Sequence, residues 1–233
     1  MASATEAIEV SNHFRYERKF TTTWAYDDVI ALIKRNTAHF REIYDERYIN
    51  NIYFDNLNFA NYFANDDGVR SRLKTRIRWY GDLSGEIKRP VLEIKVKRGW
   101  AGEKPSFPLA PFTLGSEFSS LDAQGLFRRS ELPGWIHQRV LPETPTTINR
   151  YARRYFLSVD GHCRLTIDRD LRFYRCPFPG TFVPRFYEPR NTLIIEMKYS
   201  CVGDLGIDLF SNDFRFRLTK LSKYATGVNL LYR

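Results

Sequence analysis

Between Arg72 and Tyr80 the sequence reads RLKTRIRWY, which sets Arg72, Lys74, Arg76 and Arg78 two residues apart with Leu73, Ile77 and Trp79 among them. Side chains two apart on a β-strand share a face, whereas a helix repeats every 3.6 residues, so the segment predicts a strand with one charged row and one apolar row. The same division recurs along the chain. Arg15, Glu17 and Lys19 form a row; Glu93, Lys95 and Lys97 oppose Leu92, Ile94 and Val96; Arg164, Thr166 and Asp168 oppose Cys163, Leu165 and Ile167; Glu196 and Lys198 oppose Ile195 and Met197. A chain dominated by two-faced strands is mainly β, with antiparallel pairing.

Strands are expected at 14–22, 50–55, 69–80, 90–97, 146–159, 162–168, 171–174 and 192–199. Helices are expected at 26–37, where Val29, Ile30 and Ile33 share a side, and at 119–140, broken at Pro133-Gly134. A last helix starts at Lys223 behind a Ser222 N-cap, with Tyr224, Val228 and Leu231 following at helical spacing. Residues 99–115, carrying Pro105, Pro108 and Pro111, are expected to be a loop. With no repeat and no linker, the 233 residues read as one domain behind a disordered arm at 1–13.

Two arrangements satisfy the rows. In one, the charged face of an open sheet meets water and the apolar face meets the core. In the other, the sheet curls with its charged row inward, the predicted amphipathic helices cover the apolar row outside, and the cations share an interior with carboxylates, water or a polyanion.

Lys and Arg outnumber Asp and Glu by 36 to 27, a formal charge of +9 that predicts an anionic partner without saying which. The three cysteines, Cys163, Cys176 and Cys201, form no C-x-x-C pair, against a disulfide framework or a structural zinc site, and fit a reducing compartment. The N-terminal MASATEAIEVSNHF has no basic stretch followed by an apolar one, and no segment nears the ~18 apolar residues of a spanning helix, so a soluble cytoplasmic protein is expected. Membrane contact, at the inner face, would come through a partner. His13, His39, His137 and His162 have no ligand spacing, and Gly99 and Gly102 stand at the wrong distance from Lys104 for a phosphate-binding P-loop.

In order along the chain stand RYERKF at 15–20, YFDN at 53–56, RLKTRIRWYG at 72–81, LEIKVKR at 92–98, RYARRYF at 150–156, RLTID at 164–168, IIEMKYS at 194–200 and KLSKYATG at 220–227. This series resembles the VTC (vacuolar transporter chaperone) catalytic domain, within the triphosphate tunnel metalloenzyme or CYTH-like superfamily. The resemblance implies an α+β fold: an eight-stranded antiparallel β-barrel, the triphosphate tunnel, with flanking helices. It implies a polymerase that moves the γ-phosphate of ATP onto polyphosphate, with Mn²⁺ or Mg²⁺ as cofactor and ATP and inorganic polyphosphate or triphosphate as ligands.

By the same resemblance Arg76, Arg78, Lys95, Arg153, Arg164 and Lys198 clamp phosphate oxygens, and Lys19 stands near the transferred group. Arg15, Arg72, Lys74, Lys97, Lys104, Lys220 and Lys223 add phosphate contacts, and Ser222 offers a helix N-terminus, where backbone N–H groups favour anions. Glu196 holds the metal, and Glu17 and Glu93 either join it or neutralise neighbouring lysines. The triphosphatase and cyclase branches carry an E-x-E-x-K strand where this chain has Arg15-x-Glu17-x-Lys19, which is similar to the polymerase-like branch. The phosphate-sensing SPX domain and membrane spans of eukaryotic members are not in this sequence, so regulation and translocation are expected to lie elsewhere, with a membrane-protein partner.

Four functions follow: an ATP-dependent polyphosphate polymerase, a tripolyphosphatase or nucleoside triphosphatase, a non-catalytic polyphosphate-binding module of a membrane complex, and a single-strand nucleic-acid binder. The last ranks lowest, because acids recur within the basic rows.

Overall fold

In the computed structural model, which describes residues 15–69, 71–98, 101–115, 118–176, 186–187, 192–200 and 216–232, the alternating segments pair into one antiparallel sheet. Its strands are β1 (Arg15–Thr22), β2 (Arg41–Asp55), β3 (Ser71–Tyr80), β5 (Val91–Arg98), β6 (Ala101–Glu103), β7 (Ser106–Pro108), β9 (Thr144–Leu157), β10 (Cys163–Arg175), β11 (Phe186–Tyr187), β12 (Leu193–Ser200) and β13 (Arg217–Leu218). They run in the order β13-β1-β12-β10-β9-β2-β3-β5-β6, with β11 on β10 and β7 on β5. A separate hairpin pairs β4 (Gly85–Ile87) with β8 (Phe112–Leu114). Among the described residues five helices accompany the sheets: α1 (Tyr26–Arg35), α2 (Ala60–Asp66), α3 (Ser120–Arg129), α4 (Gly134–Val140) and α5 (Lys223–Tyr232).

The apolar rows face outward and carry helices. α1 buries Val29, Ile30 and Ile33 against Phe20, Leu165, Ile167, Ile195 and Met197. Its acids lie in the first turn and its bases in the last, complementing the helix dipole. On the other half of the sheet α3 and α4 bring Ala123, Leu126, Phe127, Ile136 and Val140 onto Ile52, Ile77, Trp79, Leu92, Ile94 and Ile148. α3 starts in a capping box, Ser119 and Asp122 each accepting from the other's backbone N–H. The apolar coating makes the opposite face the concave one. Ladder partners place Lys19 beside Glu196, Asp168 beside Arg153, Tyr53 beside Arg76, and Arg76 beside Glu93 on that face.

The barrel expectation is met in curvature and not in closure. Lys95 Nζ on β5 lies 3.6 Å from Glu17 Oε2 on β1, so the sheet curls until its two halves touch through side chains. Among the described residues no ladder joins those strands, because the outer edge of β5 pairs with β6 and β7 and that of β1 pairs with β13. The concave face is therefore a trough.

α5 enters the trough, which the sequence did not foretell. Leu221, Leu230 and Leu231 pack with Ile49, Tyr151, Leu171, Phe173 and Ile194, while Tyr224, Ala225 and Val228 pack with Tyr53 and Tyr62. Gly227 permits the approach: a Cβ there would stand 2.9 Å from Phe173 Cδ1. Phe173 reaches this face because the β10 register shifts between Arg169 and Arg172, around Asp170 at φ 54°. One extra residue reverses the parity of the strand, so even-numbered side chains face the trough before the bulge and odd-numbered ones after it.

Other differences are local. The strand expected at 50–55 begins at Arg41, the segments 162–168 and 171–174 are one strand, and the 99–115 loop holds β6, β7 and β8. Residues 1–13 lie outside the described residues. No helix among the described residues is long and apolar enough to cross a membrane.

Candidate functional site

Two ion clusters occupy the trough. In the first, Arg76 donates from Nε to Glu93 Oε2 at 2.6 Å, its Nη2 lies at the same distance from that oxygen, and Nη1 donates to Tyr53 OH at 3.2 Å. Arg78 Nη1 stands 3.6 Å from Glu93 Oε2, its Nε donating to Asn51 Oδ1. Lys104 Nζ donates to Glu93 Oε1 at 2.7 Å. Burial would raise the Glu93 carboxyl, but Arg76, Arg78 and Lys104 outweigh it and hold it down at about 2. Burial also opposes ionisation of the Tyr53 phenol, yet Arg76 and Arg78 leave it below its ordinary value.

The second cluster joins β1, β9, β10, β12 and α5. Arg153 donates to both Asp168 oxygens, at 2.5 and 2.7 Å, and to Glu196 Oε2 at 3.3 Å. Lys223 Nζ lies 2.5 Å from Asp168 Oδ2 and 3.4 Å from Glu196 Oε1. Lys19 stands 3.1 Å from Glu17 and 3.6 Å from Glu196. Burial works against every charge here. Asp168 and Glu196 nonetheless keep Lys223 protonated, and Lys223, Arg153 and Lys19 hold Glu196 well below the usual carboxylate range. Tyr151 presents its ring to both cations, 4.7 Å from Lys223 Nζ and 5.2 Å from the Arg153 guanidinium.

Lys74 lies between the clusters and, among the described residues, has no carboxylate. It donates to Ser222 Oγ at 2.9 Å, and burial, with Lys19, Lys95, Arg72 and Arg76 around it, pushes its pKa down to about 7. Ser222 caps α5 by accepting from the Ala225 N–H, so the first turn of α5 opens beside Lys74. Lys198 is also lowered, burial outweighing Glu17 and Glu196. An anion beside either lysine would favour its charged form.

The structure thus brings together Glu17, Lys19, Lys74, Arg76, Arg78, Glu93, Lys95, Lys104, Arg153, Glu196, Ser222 and Lys223. Arg164 lies opposite Lys198 in the ladder, at the exposed end of the same row, and Arg72 continues the β3 row beyond Lys74. Lys220 is exposed, just ahead of α5. The side chains of Arg15 and Lys97 lie outside the described residues. Glu93, tied to two arginines and a lysine, and Glu17, tied to Lys19 and Lys95, act as neutralising partners in this arrangement.

Sequence reading missed Asp168 and Tyr53 as site residues. Asp168 stood in the Arg164–Thr166 row, and its full burial is what converts a row member into an anchor for two cations. Tyr53 stood in YFDN among apolar neighbours. Cys163 and Cys176 are buried, and burial pushes both thiols up to about 12, so neither is a ready nucleophile.

A curled antiparallel sheet with a cation-rich concave face, helices on its convex face and carboxylates interleaved among the cations is a fold and site suited to a polyanionic ligand. The chain belongs to the VTC domain family, whose profile matches residues 12–232. No curated protein matches it. Among solved structures it is similar to a protein from Vibrio parahaemolyticus proposed to be an adenylate cyclase, at 11% identity and TM-score 0.51 over 93% of this chain and 99% of that one. It is also similar to the PH1819 protein of Pyrococcus horikoshii, at 12% identity and TM-score 0.47 over 92% and 96%.

Proposed function

We propose that the trough is a polyphosphate polymerase site, in which the γ-phosphate of a nucleoside triphosphate is transferred to the end of a polyphosphate chain. The observation that carries this reading is the charge imbalance on the concave face. Lys19, Lys74, Arg76, Arg78, Lys95, Arg153, Lys198 and Lys223 face Glu17, Glu93, Asp168 and Glu196, with burial and the surrounding cations pushing Lys74 toward neutrality. A linear polyanion fits such a groove better than a compact one.

The chain's residues would act by placement and charge. Glu93 fixes the plane of the Arg76 guanidinium, and Asn51 that of Arg78, so that both forks are set before the phosphates arrive. Asp168 does the same for Arg153 and Lys223. The terminal oxygen of the acceptor chain attacks the γ-phosphorus; the bond from that phosphorus to the β–γ bridging oxygen breaks, and its electron pair leaves with the nucleoside diphosphate. The attacking oxygen is already ionised near neutral pH, so no protein base is required. Lys19, Lys74 and Lys223 would offset the charge that builds on the equatorial oxygens.

The donor set fits a hard divalent cation. Glu196 contacts its cations only at 3.3–3.6 Å, looser than the 2.6 Å hold on Glu93, and its oxygens suit Mn²⁺ or Mg²⁺. Among the described residues no three His, Cys, Asp or Glu side chains converge, so the remaining ligands would be phosphate oxygens and water. When bound, the ion would neutralise phosphate charge and align the reacting groups.

The test is to incubate the purified protein with ATP and Mn²⁺. ADP together with long-chain polyphosphate on a gel is the expected result. ADP with free phosphate makes the site a hydrolase, and no ADP makes it a binding module. Arg76→Ala should lower turnover by about 10²–10³-fold, the scale of losing one charge-stabilising donor.

A further inference from the structure

One cluster on the concave face has no part in phosphate binding as described. Where β2, β3 and β9 run out of the trough, the Arg47 guanidinium lies 4.8 Å from the Tyr44 ring centre, 4.9 Å from Tyr80 and 5.1 Å from Tyr155. Arg47 Nε is sealed from solvent and donates to no described group. Capping one arginine takes one ring. Here there are three, and Tyr44 and Tyr80 remain 52% and 50% exposed, leaving aromatic surface uncovered.

Arg47 and Tyr80 also line a cleft of about 590 Å³ with Trp79, the acids Asp82 and Glu86, and the bases Lys88 and Arg89, within the size range of small-molecule sites. Tyr155 links this mouth to the second ion cluster: its ring is 5.9 Å from the Arg153 guanidinium, and Arg47 faces Arg153 in the ladder. Exposed tyrosine rings and an arginine plane are the surfaces on which nucleobases stack, because every base has a π-face. Stacking of this kind tolerates any base.

We infer that the Tyr44–Arg47–Tyr80 mouth holds the nucleobase of the nucleoside triphosphate, with the phosphates running inward past Arg153, a placement that rests on the phosphate-trough reading. Inorganic tripolyphosphate, which has no base, would use the trough alone.

Calorimetric titration of ATP and of inorganic tripolyphosphate, each with Mg²⁺, into the full chain separates the two ideas. Loss of one stacking ring costs about tenfold in affinity, so Tyr80→Ala and Tyr44→Ala should each weaken ATP by that factor and leave tripolyphosphate unchanged, while Tyr80→Phe keeps wild-type affinity for both. ATP binding that survives both alanine variants overturns the inference, as does an equal loss for both ligands, which would make the mouth an anion contact. A wild-type protein that binds tripolyphosphate while the variants leave ATP untouched loses only the base site. A wild-type protein that binds neither ligand removes the trough reading, and the base site with it.

Discussion

Asp168 is fully buried and holds Arg153 and Lys223 at once. Replacing it with Asn would leave two buried cations sharing Glu196, and removing one partner from a buried ionic group costs about 3–5 kcal/mol. Asp168→Asn should therefore lower the unfolding free energy by that order in denaturant titration, and Glu93→Gln should do so less because Lys104 is half exposed. Glu93 also sets an acid limit. Its folded pKa, about 2, lies below its ordinary 4.5, so its stabilisation is complete above pH 4.5 and is lost as the pH falls through 2, a loss that Glu93→Gln should remove from the pH–stability profile.

Lys74 shifts the same way, but at the expense of its charged form: its folded pKa, about 7, lies below the ordinary 10.5. Between those values the unfolded chain holds one more proton, so raising the pH stabilises the fold, while a phosphate chain restores the charge and draws a proton in. Tripolyphosphate binding at about pH 8.5 should show less proton uptake in Lys74→Met than in wild type, measured by calorimetry in buffers of different ionisation heat. The row containing Lys74 was legible in the sequence, because period two is unambiguous over RLKTRIRWY. Its perturbation was not, since that depends on which lysines the curl brings opposite.

At the scale of elements, α5 converts a groove into a site by delivering Ser222 and Lys223. Asp55 anchors it: the carboxylate accepts from Tyr224 OH and from the Asn61 and Tyr62 N–H groups that open α2. Gly227→Ala would gain helix propensity but drive a Cβ to within 2.9 Å of Phe173. Overpacking of a close contact costs about 1–3 kcal/mol and prevails over the ~1 kcal/mol gain from propensity. A lower melting temperature with weaker tripolyphosphate binding is expected; an unchanged melt would place α5 elsewhere. The start of α5 at Lys223 was readable from its serine cap, and the break between α3 and α4 from Pro133-Gly134. Its location inside the curl was not, because an apolar helix face does not say which side of a sheet it covers. α2 escaped notice because it is only seven residues long and caps through Asp55, six residues before Asn61. The β10 bulge escaped because Asp170 carries no glycine signal for its positive φ.

For the molecule as a whole, the +9 charge is organised, with much of it turned onto one concave surface whose apolar outer side is covered by helices. Such a surface stores repulsion that a polyanion relieves. Saturating tripolyphosphate at about 100 times its dissociation constant should stabilise the fold by about 2.7 kcal/mol, a gain that shrinks as salt is added. The most direct measurement is a crystal structure of the protein soaked with tripolyphosphate and Mn²⁺. Phosphate density along the trough, within hydrogen-bond reach of Arg76, Arg78, Lys74 and Lys223 with the ion on Glu196, is the predicted result. Phosphates bound only on the helix-covered outer surface, with Arg76 and Arg153 still held solely by Glu93 and Asp168, would contradict it.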